Sequence, residues 1–266
     1  MAEPTLQPPR SVLVTGGGRR LGAAVCEAFA RAGWRVWCQY RGSRAAALAL
    51  CERLRAEGHA ADAVEADIAT EPGRAALMAQ LGAHGPLHCV VNNASAFEPD
   101  TGLDFDPDAA LRQLGVNLIA PLSLARLLAR QAAADDGIDR SVVHVLDQKV
   151  YNLNPDYFSY TVSKLALERA VALQAQSLGP AVRVCGVAPG ILFESGPQDH
   201  DNFQKAARAN LLRRPIDPAD VARSCVFLAG TPSVTGSILS VDNGQHLVPL
   251  PRDIMFVVDD LLKASS

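Results

Sequence analysis

Short apolar, β-branched runs alternate along this chain with Ala-, Leu- and Arg-rich stretches of helical period. That alternation leaves few folds open. Residues 11–15 (SVLVT), 35–40 (RVWCQY), 59–65, 87–92 (LHCVVN), 141–146 (SVVHVL), 182–188 and 238–241 read as strands. Helices are expected over 21–32, 43–57, 71–84, 107–134, 159–178, 202–212 and 218–229. Pro121 marks a kink or break inside the fourth. Strands separated by a helix cannot be hairpins; they need crossovers, hence a parallel sheet with helices on both faces. The expected fold is a single doubly wound, Rossmann-like α/β domain over 11–247, with a flexible tail at 1–10 and a C-terminal extension at 248–266. In such sheets, ligands bind beyond the carboxyl ends of the strands.

Charge and cysteine usage remove several functional classes. The net charge of -3 gives no electrostatic reason to bind nucleic acid or an anionic membrane. No apolar run approaches the ~18 residues that span a bilayer. The first ten residues hold Glu3, Pro4, Pro8 and Pro9 and lack an apolar stretch, so they read as a tail and not as a signal peptide. The six cysteines show no C-x-x-C pair and read as reduced thiols of a cytoplasmic protein.

The turn after the first strand is T-G-G-G-R-R-L-G at 15–22, which opens the first helix. Gly16, Gly18 and Gly22 allow a tight turn and close approach of a pyrophosphate to the helix N-terminus formed by Arg19, Arg20 and Leu21. The second strand ends in Tyr40-Arg41-Gly42-Ser43-Arg44, without the acid that would accept from a ribose 2′-hydroxyl. Arginines and a serine suit a 2′-phosphate, so NADP(H) is expected over NAD(H). Asp67 and Ile68 follow the third strand, where a carboxylate can accept the adenine amino hydrogen; a solvated loop aspartate is the plainer alternative. Asn93, Ala94 and Ser95 follow the fourth, where small polar residues let a cofactor pass close by.

Tyr160 and Lys164 stand four apart on the 159–178 helix and so share a face. An ammonium beside a phenol lowers the phenol's pKa and makes it a usable proton donor near neutral pH. Neither Tyr151 nor Tyr157 has a lysine at that spacing. Thirteen residues upstream of Tyr160, at the end of the fifth strand, stands Asp147. Its plain reading is a strand-end cap.

In order and spacing these motifs, with Asn117, Y-T-V-S-K at 160–164 and Pro189-Gly190, resemble the short-chain dehydrogenase/reductase family over nearly the whole length. The resemblance implies that Tyr160 donates the proton and that Lys164 tunes it and holds the nicotinamide ribose. It implies that Asn117 steadies a helix and a relay water, and that Asn93, Pro189 and Gly190 line the cofactor. It also implies a homodimer or homotetramer. Most members carry a serine where this chain has Asp147. The aspartate, the G-G-G-R-R turn and the run Asn93-Ala94-Ser95-Ala96-Phe97 are similar to pteridine reductases, which implies a pterin held by Ser95 and Phe97 beside Asp147 and Tyr160. The segment after Gly190, beginning at Leu192, would be a mobile lid that shapes substrate choice.

A carboxylate opposes the negative charge that grows on a ketone oxygen during reduction, whereas it suits protonation of a ring nitrogen. The expected function is therefore NADPH-dependent reduction of a dihydropterin or dihydrofolate. A carbonyl or imine reductase of another small polar compound, and an idle NADP(H)-binding sensor, are the alternatives.

Overall fold

The structure is a computed structural model that describes residues 9–132, 136–196 and 198–264; most of the 1–10 tail lies outside them. Seven parallel strands form one sheet in the order β3-β2-β1-β4-β5-β6-β7. They are β1 (Ser11–Val14), β2 (Arg35–Tyr40), β3 (Ala61–Glu65), β4 (Cys89–Asn92), β5 (Ser141–Val145), β6 (Arg183–Pro189) and β7 (Ile238–Val241). The order reverses between β1 and β4, which opens a crevice at their carboxyl ends.

Successive side chains of a strand point to opposite faces. Val12 and Val14 enter the core beneath α1 (Arg20–Arg31), α2 (Arg44–Ala56) and α8 (Pro218–Gly230), with Phe29, Leu54 and Leu228. Leu13 enters the opposite core beneath α3 (Glu71–Gly82), α5 (Ala120–Arg130) and α6 (Phe158–Leu178), with Leu81, Leu128 and Leu167. Burying each such side chain stabilises the fold by ~2 kcal/mol. The sheet is thus a packed platform for the loops at its carboxyl edge.

The expected helix over 107–134 is instead three pieces. Asp106 caps α4 (Pro107–Leu114), accepting from the amides of Asp108 and Ala109. A π-helical turn, Gly115–Ile119, then leads into α5. Pro121 has no N–H to give the Asn117 carbonyl four residues earlier. The register widens, and the Ala120 amide reaches the Gly115 carbonyl. The end of the expected helix, 133–134, lies outside the described residues. The 202–212 helix is shorter than its pattern, ending as α7 (His200–Ala206). There the Asn210 side chain binds the carbonyls of Ala207 and Arg214 and turns the chain. The C-terminal extension packs on its own chain, and α9 (Ile254–Ala264) lies against α7. No helix among the described residues is long and apolar enough to cross a membrane.

Candidate active site

Beyond the carboxyl ends of β1, β4, β5 and β6 lies a cavity of about 490 Å³. Of the residues singled out in the sequence, it brings together Gly16, Arg19, Arg20, Leu21, Asn93, Ala94, Ser95, Phe97, Asp147, Tyr160, Lys164, Pro189, Gly190 and Leu192. Tyr40, Arg41, Ser43, Asp67 and Ile68 are not in its wall. They sit beyond the glycine turn, at the ends of β2 and β3.

The glycine turn is braced from two sides. Gly16 has φ +61°, and a Cβ on Gly22 would strike the Gly16 carbonyl and come within 2.7 Å of Asn93 Nδ2. Only glycine fits at either place. Thr15 Oγ1 accepts from the amides of Asn93 and Ala94 at 3.0 Å each, while Asn93 Nδ2 donates to the Thr15 carbonyl at 3.0 Å. From the other side Gln39 Oε1 accepts from the Gly16 amide at 2.9 Å, and its Nε2 donates to the Ala66 carbonyl at 2.8 Å. Gln39 carried no motif in the sequence. Helices α3, α4, α7 and α8 are capped by the side chain of the preceding residue; α1, like α2 and α6, is not. Its first amides are left for an anion, which is the arrangement a dinucleotide pyrophosphate requires.

At the outer end, Arg41 and Arg44 are exposed, and Arg41 Nη1 lies 3.9 Å from Asp67 Oδ1. Asp67 Oδ1 also accepts from the Ala69 amide at 3.0 Å. The Tyr40 hydroxyl donates to Glu65 at 3.2 Å. Arg20 turns the other way. Its guanidinium donates to the Glu194 carbonyl and lies 5.6 Å from the Phe193 ring centre, tying the glycine turn to the segment after Gly190.

At the inner end, the Tyr160 hydroxyl donates to Asp147 Oδ2 at 2.8 Å, and Asp147 Oδ1 accepts from the Lys149 amide at 2.8 Å. Lys164 Nζ donates to the Val145 carbonyl at 2.7 Å and lies 5.7 Å from the Tyr160 ring centre. Burial holds the Tyr160 phenol well above its ordinary range, and the Asp147 carboxylate adds to this. This reverses the sequence expectation of a tyrosine acidified by Lys164: the carboxylate touches the hydroxyl, and the ammonium does not. Tyr160 therefore keeps its proton at neutral pH. Burial also raises the Asp147 carboxyl, against the opposing pull of the Lys149 amide and the Tyr160 hydroxyl. Burial lowers Lys164 to about 8.

Asn117 is fully buried, and its side chain is a clamp. Oδ1 accepts from the Ala96 amide at 2.8 Å and from Ser95 Oγ at 3.2 Å. Nδ2 donates to the Ala96 carbonyl at 2.9 Å and to Ser163 Oγ at 3.0 Å. It fixes the loop carrying Ser95 and Phe97 against α6. Phe97 stacks on Tyr157 at 4.1 Å and 18° and meets Tyr160 edge-on at 4.7 Å.

One whole wall of the cavity carries no motif in the sequence. Asp253, Ile254 and Met255 of the C-terminal extension line the cavity, as does Lys149. The Tyr157 hydroxyl donates to Met255 Sδ at 3.4 Å. The available signals were the amphipathic tail and the scarcity of lysine, since Lys149 is one of only four.

A family model described as enoyl-(acyl carrier protein) reductase matches residues 18–246. An uncharacterized oxidoreductase of Mycobacterium tuberculosis is 33% identical over 87% of this chain and 90% of its own length. The dihydromonapterin reductase of Citrobacter koseri is 29% identical over 90% and 98%. Among solved structures, FolM alternative dihydrofolate reductase 1 from Brucella canis, complexed with NADP, superposes with a TM-score of 0.86 at 34% identity, covering 92% of this chain and 97% of that one. The same protein from Brucella suis, also in complex with NADP, gives 0.85 at 35%. The parallel sheet, the open glycine turn and these matches agree: the chain belongs to the short-chain dehydrogenase/reductase family.

Proposed function

We propose that this protein is an NADPH-dependent reductase of pteridines, acting on a dihydropterin or dihydrofolate. The observation that carries the reading is the Tyr160–Asp147 hydrogen bond at the wall of a cavity that also holds Lys164 and Phe97. The names of the relatives, dihydromonapterin reductase and an alternative dihydrofolate reductase complexed with NADP, support it.

NADPH, when bound, supplies the hydride. The uncapped start of α1 and the glycine turn would receive its pyrophosphate. Arg41, Ser43 and Arg44 would face the 2′-phosphate, with no acid among residues 40–44 to repel it. Lys164, about 8 in its buried setting, is protonated at neutral pH and presents a cation beside Tyr160. Tyr160 and Asp147 hold one proton between two oxygens. Burial makes Asp147 a stronger proton acceptor than a surface aspartate. The pair can therefore hold and deliver a proton at a ring nitrogen. Phe97, backed by Tyr157, presents a flat apolar wall to an aromatic substrate. A ketone fits less well, because its oxygen gains negative charge next to a carboxylate.

Asp147→Ser separates the two chemistries. Turnover of a dihydropterin should fall about a hundredfold or more, while turnover of small ketones should hold or rise. Equal dihydropterin turnover by the variant would remove the proton role of Asp147.

A further inference from the structure

The C-terminal segment is pinned to the active-site wall by contacts that the proton chemistry does not need. Arg252 Nε donates to both carboxylate oxygens of Asp156, at 2.9 and 2.8 Å, and the Asp253 amide donates to Asp156 Oδ2 at 2.7 Å. This brings Asp253 to the wall of the cavity that also holds Asp147 and Tyr160. Lys149, buried, holds it there: Nζ donates to Asp253 Oδ2 at 2.8 Å and to Asn154 Oδ1 at 2.7 Å. Among the described residues Asp253 Oδ1 accepts one long hydrogen bond, 3.3 Å from the Met255 amide at the start of α9.

A carboxylate oxygen accepts two or more hydrogen bonds when its surroundings offer them. Oδ1 therefore keeps acceptor capacity, and Asp253 lines the cavity beside Ile254, Met255 and Phe97. The cap on α9 alone would be served equally by asparagine.

We propose that Asp253 is a specificity-determining residue, its Oδ1 accepting hydrogen bonds from N–H or O–H donors of the substrate. The inference rests on the pteridine reading, in which two donor sets are available: the amino-pyrimidine edge and the hydroxyls of a short side chain. A carboxylate held in this way selects substrates that carry donors and rejects those that present acceptors at the same point.

The test compares 7,8-dihydrobiopterin, which has side-chain hydroxyls, with 6-methyl-7,8-dihydropterin, which has none, in the wild type and in Asp253→Ala. We expect KM to rise on the order of tenfold for at least one of them, as for a lost charge-assisted hydrogen bond. The dissociation constant of NADPH should stay within threefold. A rise for both substrates assigns the amino-pyrimidine edge, and a rise for dihydrobiopterin alone assigns the hydroxyls. A KM that moves less than threefold for both, or an equal loss of NADPH affinity, overturns the proposal. Should Asp253→Ala fail to fold, Asp253→Asn keeps the side-chain shape and one acceptor oxygen, for either the Met255 amide or Lys149, while removing the charge, and the same threefold criterion applies. Absence of wild-type turnover with both pterins and with dihydrofolate would instead be a failure of the pteridine reading, and this inference would fall with it.

Discussion

The Tyr160 hydroxyl donates a 2.8 Å hydrogen bond to Asp147 Oδ2, joining the first turns of α6 to the end of β5. Each group alters the other. The carboxylate makes the phenol a weaker acid, and the phenol is one of the donors that keep the buried carboxylate charged. Tyr160→Phe keeps the ring that packs against Phe97 and removes only the hydroxyl that donates to Asp147. We expect kcat to fall by roughly two to four powers of ten, with NADPH affinity within threefold. A kcat within tenfold of the wild type would contradict the role of Tyr160.

Arg41 and Arg44 follow β2, where no acidic residue stands within 40–44. Replacing both with alanine removes the cations that suit a 2′-phosphate. The preference for NADPH over NADH, measured as the ratio of kcat/KM values, should fall about tenfold to a hundredfold. The value of kcat with saturating NADPH should be unchanged. An equal loss with both cofactors would show that the arginines act on something other than the phosphate.

His144 lies fully buried in β5 and is held neutral. Its Nδ1 faces Asn92 Nδ2 at 3.2 Å, and its Nε2 faces Gln174 Oε1 at 2.9 Å. The amide partners fix the tautomer, with the proton on Nε2. Burial lowers its pKa from 6.5 to about 4. Between those values the unfolded chain binds a proton that the folded chain does not. Stability therefore rises with pH across that window and is lost as pH falls from 6.5 towards 4. The linkage amounts to roughly 3 kcal/mol. His144→Gln should flatten the dependence of Tm on pH over that range. An unchanged slope would show that other groups drive the acid loss.

Much of the sheet was legible because strands buried on both faces need continuous β-branched runs, as in SVLVT and SVVHVL. The residues at the ends of these strands were legible for the same reason, since the strands place them. Three features were not. Gln39 braces the glycine turn through a side chain, without any motif. The π-helical turn at Gly115–Ile119 follows from Pro121, but a proline permits several kinds of break. Lys149 meets Asp253 across 104 residues of chain, and no local pattern reports so distant a pairing. Helical spacing puts Lys164 on the same face as Tyr160 but gives no distance, so the direction of the Tyr160 shift is not legible in it. The contact distances in the fold favour Asp147.

The central claim is that the Tyr160–Asp147 pair serves pteridine reduction with electrons from NADPH. Its most direct test is NADPH oxidation by the wild-type protein, at micromolar enzyme, with dihydrobiopterin, dihydromonapterin and dihydrofolate. The account predicts saturable turnover with at least one of the three and a slower reaction when NADH replaces NADPH. No oxidation above background with any of them would contradict it.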